Sequence, residues 1–341
     1  MRKITSLLLA LTLVSFATAT AQAAWKDDPA VKALYEKAKQ EGQAVIWGPA
    51  RSEIEWIEPA FSKVFPGIKV PFVGDNDVFT RAIAEARGGR HQLDVMWTSI
   101  NGGILFSTRN LTAKVDWGAL GIKDAETAFD GQMLFANRSM WIVTFDRDKM
   151  KTSDLPDTWE GFLDPRFKDK MIANPFLLPR LAGSLSLSWG EDKALDFVRK
   201  LVNSQDIMLT RAPRETFLKS GERMLALGEI DGTYRRQAKR GNLYGIKVPQ
   251  PVVFTQFGAM VMAKAPHPNA ARLLAAWLAT DEAKAARRDA TGRLEYDRPD
   301  SELATKLRTG QIPVIIERPE DTKRRDDAIN KAMPIVARRQ R

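Results

Sequence analysis

Three short apolar segments, each separated from the next by an amphipathic stretch, constrain this chain more than any other feature. "AVIW" (44–47), "IKVPFV" (68–73) and "DVMWTS" (94–99) read as short buried strands. Before the first, Val31, Leu34, Tyr35 and Ala38 keep helical spacing, with Asp28 as N-cap, Pro29 in the first helical position and Gly42 as the stop. A second helix carries Ile54, Ile57, Phe61 and Phe65, with a kink near Pro59. A third, "VFTRAIAEARGG", ends at Gly88-Gly89. Strands alternating with helices argue for an α/β fold with a largely parallel sheet covered on both faces. Ligands in such sheets bind beyond the carboxyl ends of the strands. That places Arg51, Ser52, Gly74-Asp75, Thr98 and Ser99 near a possible site.

A second unit opens after "MWIVTFD" (140–146). A proline-punctuated surface segment, "LPDTWEGFLDPRFKDKM", leads to the strand "IAN". Helices are expected around 191–203 and 216–227, and strands at "IKVPQPVVF" and "GAMVMAK". Asn269 is expected to cap a helix bearing Leu273, Leu274, Trp277 and Leu278, and the charged tail reads as helical. Trp47, Trp97 and Trp141 lie in apolar strands, which favours core packing over stacking on a ligand.

The first residues predict export. Arg2 and Lys3 precede the apolar run Leu7–Val14, and Ala21-Gln22-Ala23 is a cleavage signal. A secretory signal peptide over 1–23, cut after Ala23, follows, and the run is short for a membrane anchor. The chain has no cysteine, so its stability rests on core packing although an exported protein is free to use disulfides. The periplasm is the compartment expected for a soluble, unanchored chain of this kind. The formal charge of +10 would suggest nucleic acid in a cytoplasmic protein. Export, and the lack of a basic cluster interleaved with aromatics, argue for no nucleic-acid partner; a positive field attracts small anions, or simply an anionic membrane surface, instead.

No motif of phosphate-loop, zinc-protease or serine-hydrolase type occurs, and no cofactor is implied. "DND" at 75–77 starts like a calcium loop but lacks its glycine and glutamate. The two histidines, His91 and His267, read as exposed loop residues rather than bases.

Four segments resemble the periplasmic solute-binding proteins of ABC importers, in the branch that contains ferric-ion binders. These are "ALYEKAKQEGQAVIWGP", "AFSKVFPGIKVPFV", "LPDTWEGFLDPRFKDKM", and "GEIDGTY" followed by "HPNAARLLAAWLATDEAKAA". The third is the most specific. The resemblance implies the type 2 periplasmic binding fold: two α/β lobes, each a mainly parallel sheet flanked by helices, joined by two crossing strands. Lobe one would comprise 24–142 plus 256–341 and lobe two 143–255. A monomer would hold a small molecule in the cleft and present it to an ABC permease at the inner membrane, by binding and release rather than by enzymatic chemistry.

Ferric-binding members present adjacent tyrosines from lobe two, often with a histidine after strand one and a carboxylate after strand three. Here Arg51 stands near the histidine position, Ser99 at the carboxylate position, and Tyr234 is followed by Arg235 and Arg236. Tyrosinate and carboxylate oxygens suit a hard cation, whereas a guanidinium repels one. The expected ligand is therefore an organic anion such as a carboxylate, phosphonate or phosphate ester, with no metal. The expected ligand-binding residues are Arg51, Ser52, Thr98, Ser99, Asn101, Arg180, Arg211, Tyr234, Arg235, Arg236 and Gln256. Tyr234-Arg235-Arg236 is either a ligand clamp or a solvated face. A ferric or ferric-complex binder using Tyr234 and Tyr244 is the alternative, and an exported α/β enzyme a further one.

Overall fold

The computed structural model describes residues 25–75, 77–122, 126–232, 244–291 and 302–337. The first half follows the expected alternation. Helix α1 (Pro29–Glu41) is capped by the Asp28 carboxylate, which accepts from the Ala30 amide at 2.8 Å, and it ends at Gly42 in the left-handed region (φ 74°). Strand β1 (Ile46–Gly48) is followed by α2 (Arg51–Ile54) and α3 (Ile57–Val64). The expected kink is a full break at Glu55-Trp56, one turn before Pro59, which has no N–H to offer the Glu55 carbonyl. Strand β2 (Phe72–Gly74), α4 (Val78–Arg87), β3 (Val95–Ser99) and α5 (Ile100–Ser107) complete the run.

Beyond α5 come β4 (Thr127–Ala128) and the long β5 (Met133–Asp146). Then follow β6 (Met171–Ala173), α6 (Leu177–Trp189), α7 (Glu191–Asn203), β7 (Met208–Leu209), α8 (Arg214–Ser220) and β8 (Leu225–Ile230). Helix α6 was not foreseen, and the helix expected at 216–227 ends at Ser220, its last residues belonging to β8. Strand β9 (Tyr244–Lys247) precedes β10 (Val252–Val261), a single strand where two were expected. The helix Pro268–Leu278 begins two residues earlier than expected, with His267 in the N-cap position. Asn269 is not its cap: the Glu41 carboxylate accepts from the Asn269 and Ala270 amides at 3.0 and 2.8 Å. The helices Asp281–Thr291 and Glu302–Arg308, the strand β11 (Val314–Ile316) and the helix Thr322–Ala337 close the chain.

The architecture is two α/β lobes joined by two long strands. In the first lobe β1 pairs in parallel with β2 and β3, and β10 runs antiparallel to β3 from Phe257 to Val261. In the second, β6 pairs in parallel with β7 and β8, and β5 runs antiparallel to β8 from Trp141 to Phe145. Strands β5 and β10 pair with each other between these two sets, over Leu134–Met140 and Phe254–Ala259. Each strand thus serves both lobes.

Two large cores flank the crossing. One gathers Ile46, Phe61, Trp97, Leu273 and Trp277; the other Trp141, Trp159, Phe162, Leu181, Phe197 and Leu227. Trp47 is buried in a smaller core, so all three strand tryptophans are core residues. The second large core also contains Ile315, Ala332 and Val336. Strand β11 and the last helix therefore contribute to the core of the second lobe. Ala328, Ala332 and Val336 recur at helical spacing, and a stripe of this kind is buried wherever a complementary face is open. No helix among the described residues is long and apolar enough to cross a membrane.

Candidate functional site

Strand directions define where a ligand would sit. The carboxyl end of β3 is level with Phe257, where β10 enters the first sheet from the second lobe. The carboxyl end of β8 is level with Trp141, where β5 enters the second sheet from the first lobe. The carboxyl ends of both parallel sets therefore face the crossing from opposite sides. This is the position in which open α/β sheets present loops and helix starts to ligands.

On the first lobe this edge holds the α2 start and the α5 start. Gly74 lies so close to α2 that a β-carbon there would fall 2.4 Å from the Arg51 Cα, so glycine permits the contact. Arg51 itself is not poised as expected. Its Nε donates to Glu55 Oε2 at 2.9 Å, its guanidinium lies 5.0 Å over the Phe72 ring, and 72% of the side chain is exposed. Helix α2 has four residues and no side-chain cap, so little dipole adds to the charge. Ser52 stands beside it, half-buried. Thr98 is fully buried and donates to the Ser99 carbonyl at 3.1 Å, so it faces the interior. Ser99 occupies the N-cap position of α5 with no side-chain cap bond.

Asn101 links the lobes. Its Nδ2 donates to Glu317 Oε2 at 3.4 Å, while its Oδ1 is enclosed without a donor. Glu317 is 1% exposed and follows β11. It also accepts from Ser184 Oγ on α6 at 2.6 Å and from Arg325 Nε on the C-terminal helix at 3.0 Å. The buried carboxylate is compensated by one guanidinium and two neutral donors, and it ties α5 of one lobe to two helices of the other.

On the second lobe, two of the expected arginines come together on one residue. Arg211, after β7, holds its guanidinium 4.2 Å over the Phe176 ring. Arg180, one turn into α6, donates Nη1 to the Phe176 carbonyl at 3.0 Å. Phe176 is 46% exposed, unusual for a large apolar side chain. Burial, and next the charge of Arg325, hold the Arg180 pKa below its ordinary value, partly offset by Asp326. Asp326 is already paired with Arg325 at 2.8 Å. Neither Arg180 nor Arg211 makes an ion pair with a carboxylate among the described residues. Sequence reasoning missed Phe176; "NPF" before a helix was its only signal.

Gln256 is buried in β10, and its Nε2 donates to Glu126 Oε2 at 3.3 Å. It lines a cavity of about 520 Å³ between β4–β5 and the segment 316–320, with Glu126, Arg138 and Arg318 among its walls. Glu126 also pairs with Arg138, so the amide serves an internal charge network. Tyr234, Arg235 and Arg236 lie outside the described residues.

Tyr244 is buried, its hydroxyl donating to the Glu215 carbonyl at 3.1 Å. Burial, then the carboxylates of Glu215 and Asp146, raise its pKa. A phenol held in this way resists the ionisation that a ferric ligand requires. His267 is not a free loop residue. Its Nδ1 lies 2.9 Å from the buried Asp94 carboxylate, which also accepts from the His267 and Val45 amides at 2.8 and 2.7 Å. This pair joins β1, β3 and the helix that follows β10, on the side of the first sheet away from the crossing. No cluster of three or more metal-ligating His, Asp or Glu side chains occurs among the described residues.

The same fold recurs in solved structures. Iron-bound HitA from Pseudomonas aeruginosa matches with a TM-score of 0.67 at 18% identity, covering 86% of this chain and 99% of that one. The apo ferric ion-binding protein A of Pasteurella haemolytica matches with a TM-score of 0.69 at 16% identity, covering 86% and 98%. A substrate-binding protein of an ABC transporter from Agrobacterium tumefaciens gives 0.67 at 13% identity, covering 88% and 96%. The chain thus has the two-lobed fold of periplasmic binding proteins over nearly their whole length. No family model and no curated relative matches the sequence.

Proposed function

We propose that this chain is the periplasmic solute-binding component of an ABC importer, which captures a small organic anion between its lobes and hands it to a permease in the inner membrane. The observation that carries the reading is the convergence of both sheets' carboxyl ends on the crossing strands, in a fold shared with transport binding proteins. The anion is supported by Arg180 and Arg211 on the second lobe, which have no carboxylate partner among the described residues. Ser99 and Asn101 are the first lobe's polar groups at the same edge. In this reading the lobe boundaries fall within β5 and β10, with the helix Thr322–Ala337 counted in lobe two. The signal over 1–23 directs export, and the mature chain works as a monomer. Lobe closure favoured by contacts to both lobes is the functional event, and the ligand leaves chemically unchanged.

Native mass spectrometry of protein recovered from the periplasm tests this reading. The expected spectrum shows a protein starting at Ala24 with a non-covalent small-molecule adduct that is recovered intact. Conversion of the adduct on incubation with excess protein would instead favour an exported enzyme. A ferric adduct with a visible tyrosinate band would favour the iron reading, which Tyr244 does not support.

A further inference from the structure

Two arginines at the cleft-facing edge of lobe two are held without an ion pair. Arg51, Arg81, Arg138, Arg166, Arg214 and Arg325 each have a carboxylate within 4 Å. Among the described residues Arg180 and Arg211 have none, yet both are fixed by the same residue. The Phe176 carbonyl takes one N–H of Arg180, and the Arg211 guanidinium lies 4.2 Å over the Phe176 ring. A guanidinium held over a ring keeps N–H groups free, and a guanidinium that has given one N–H to a carbonyl keeps the others. Two forks are therefore held within one residue's span with their hydrogen-bonding capacity largely unspent.

Arg325 behind Arg180 adds a further positive charge to this edge. The nearby carboxylates are already committed: Glu317 to Arg325 and Ser184, and Asp326 to Arg325. A monocarboxylate would neutralise one fork and leave the other exposed beside it. A headgroup with two negative charges and three oxygens on one atom offers acceptors to both forks at once.

Building on the binding-protein reading, we infer that lobe two alone forms the primary grip on the ligand. Its determinants are Arg180 and Arg211 braced on Phe176, and the ligand class is a small phosphonate or phosphate monoester in its dianionic form. The first lobe closes over a ligand already seated and supplies neutral groups.

The test is calorimetry on the full mature chain at about pH 9, where phosphate and phosphonate headgroups alike are mostly dianionic. The probes are methylphosphonate, inorganic phosphate, succinate and acetate. Methylphosphonate or phosphate is expected to bind at least tenfold more tightly than acetate. Arg180→Gln and Arg211→Gln are each expected to weaken that binding by roughly ten- to a hundredfold. An unchanged thermal midpoint verifies that the variants fold. Phe176→Ala, which removes the brace but no charge, is expected to weaken binding by a smaller factor. Absence of binding by both tetrahedral dianions overturns the inference, as does wild-type affinity in both arginine variants or preferential binding of succinate or acetate. If the chain instead closes on a neutral or cationic solute in a scattering screen, the binding-protein reading stands and this inference alone falls. If no solute of any charge binds or closes it, the underlying reading fails too.

Discussion

The two sides of the crossing carry the same residue type in opposite states. On the first lobe Arg51 and Arg287 are committed. Arg51 pairs with Glu55 one turn on, and Arg287, 2% exposed, lies 3.7 Å from Glu53 beneath the same short helix. With the Asn137 amide oxygen turned toward it, Arg287 also donates to that oxygen at 2.5 and 2.6 Å. On the second lobe Arg180 and Arg211 are oriented but not neutralised. Paired arginines contribute to architecture, whereas oriented and unpaired ones store an attraction for something not yet bound. The comparison moves the expected anion contact from Arg51 to the lobe-two edge.

The largest expected effect separates structural cations from binding ones. Arg325→Ala removes the guanidinium that compensates Glu317 and strands a buried carboxylate between the lobes. A loss of about 3–5 kcal/mol is expected in urea denaturation. Arg180→Ala and Arg211→Ala should each change stability by less than about 0.5 kcal/mol in the same assay while weakening ligand binding. Equal stability losses in all three would erase the distinction between the two sides.

The next effect is pH-dependent. The Tyr244 pKa is raised in the folded state, chiefly by burial and then by Glu215 and Asp146. Its contribution to stability is whole below the ordinary tyrosine value and is lost as pH climbs from there through the raised folded value, because the unfolded chain ionises first. Stability measured by denaturant melts should fall across that alkaline window, and Tyr244→Phe should flatten the fall. A rise in stability over the window would mean that the phenol ionises readily and would restore its case as a metal ligand.

The smallest effect is the sharpest check on the comparison. Arg51→Ala breaks only an exposed pair with Glu55, worth about 0.5 kcal/mol or less. Binding should change by less than about twofold. A tenfold loss would show that Arg51 leaves Glu55 to meet the ligand.

Local rules made much of the fold legible. Asp28, Pro29 and Gly42 mark α1 because capping and left-handed termination involve neighbours in sequence. Helix α7 fell where expected for the same reason: its apolar stripe of Ala194, Leu195, Val198, Leu201 and Val202 is regular. Helix α6 was hidden because it is buried on most sides, from Leu178 through Ser186, so no polar face reveals a period. The cap of the helix at Pro268 comes from Glu41, 228 residues away from Asn269, which no local rule reaches. The site was legible only as a set of candidates. Arg180 and Arg211 appear in the sequence as two arginines among many. That they share Phe176 and lack carboxylates follows from the docking of α6 beside the C-terminal helix and the end of β7.

Small-angle scattering of the mature chain, with and without saturating methylphosphonate, tests the central claim most directly, because it reads the closure of two lobes onto an anion in one experiment. The account predicts a smaller radius of gyration with the anion and no contraction when Arg180→Gln/Arg211→Gln protein is titrated in parallel. An unchanged profile for the wild-type chain, or equal contraction in the double variant, would contradict it.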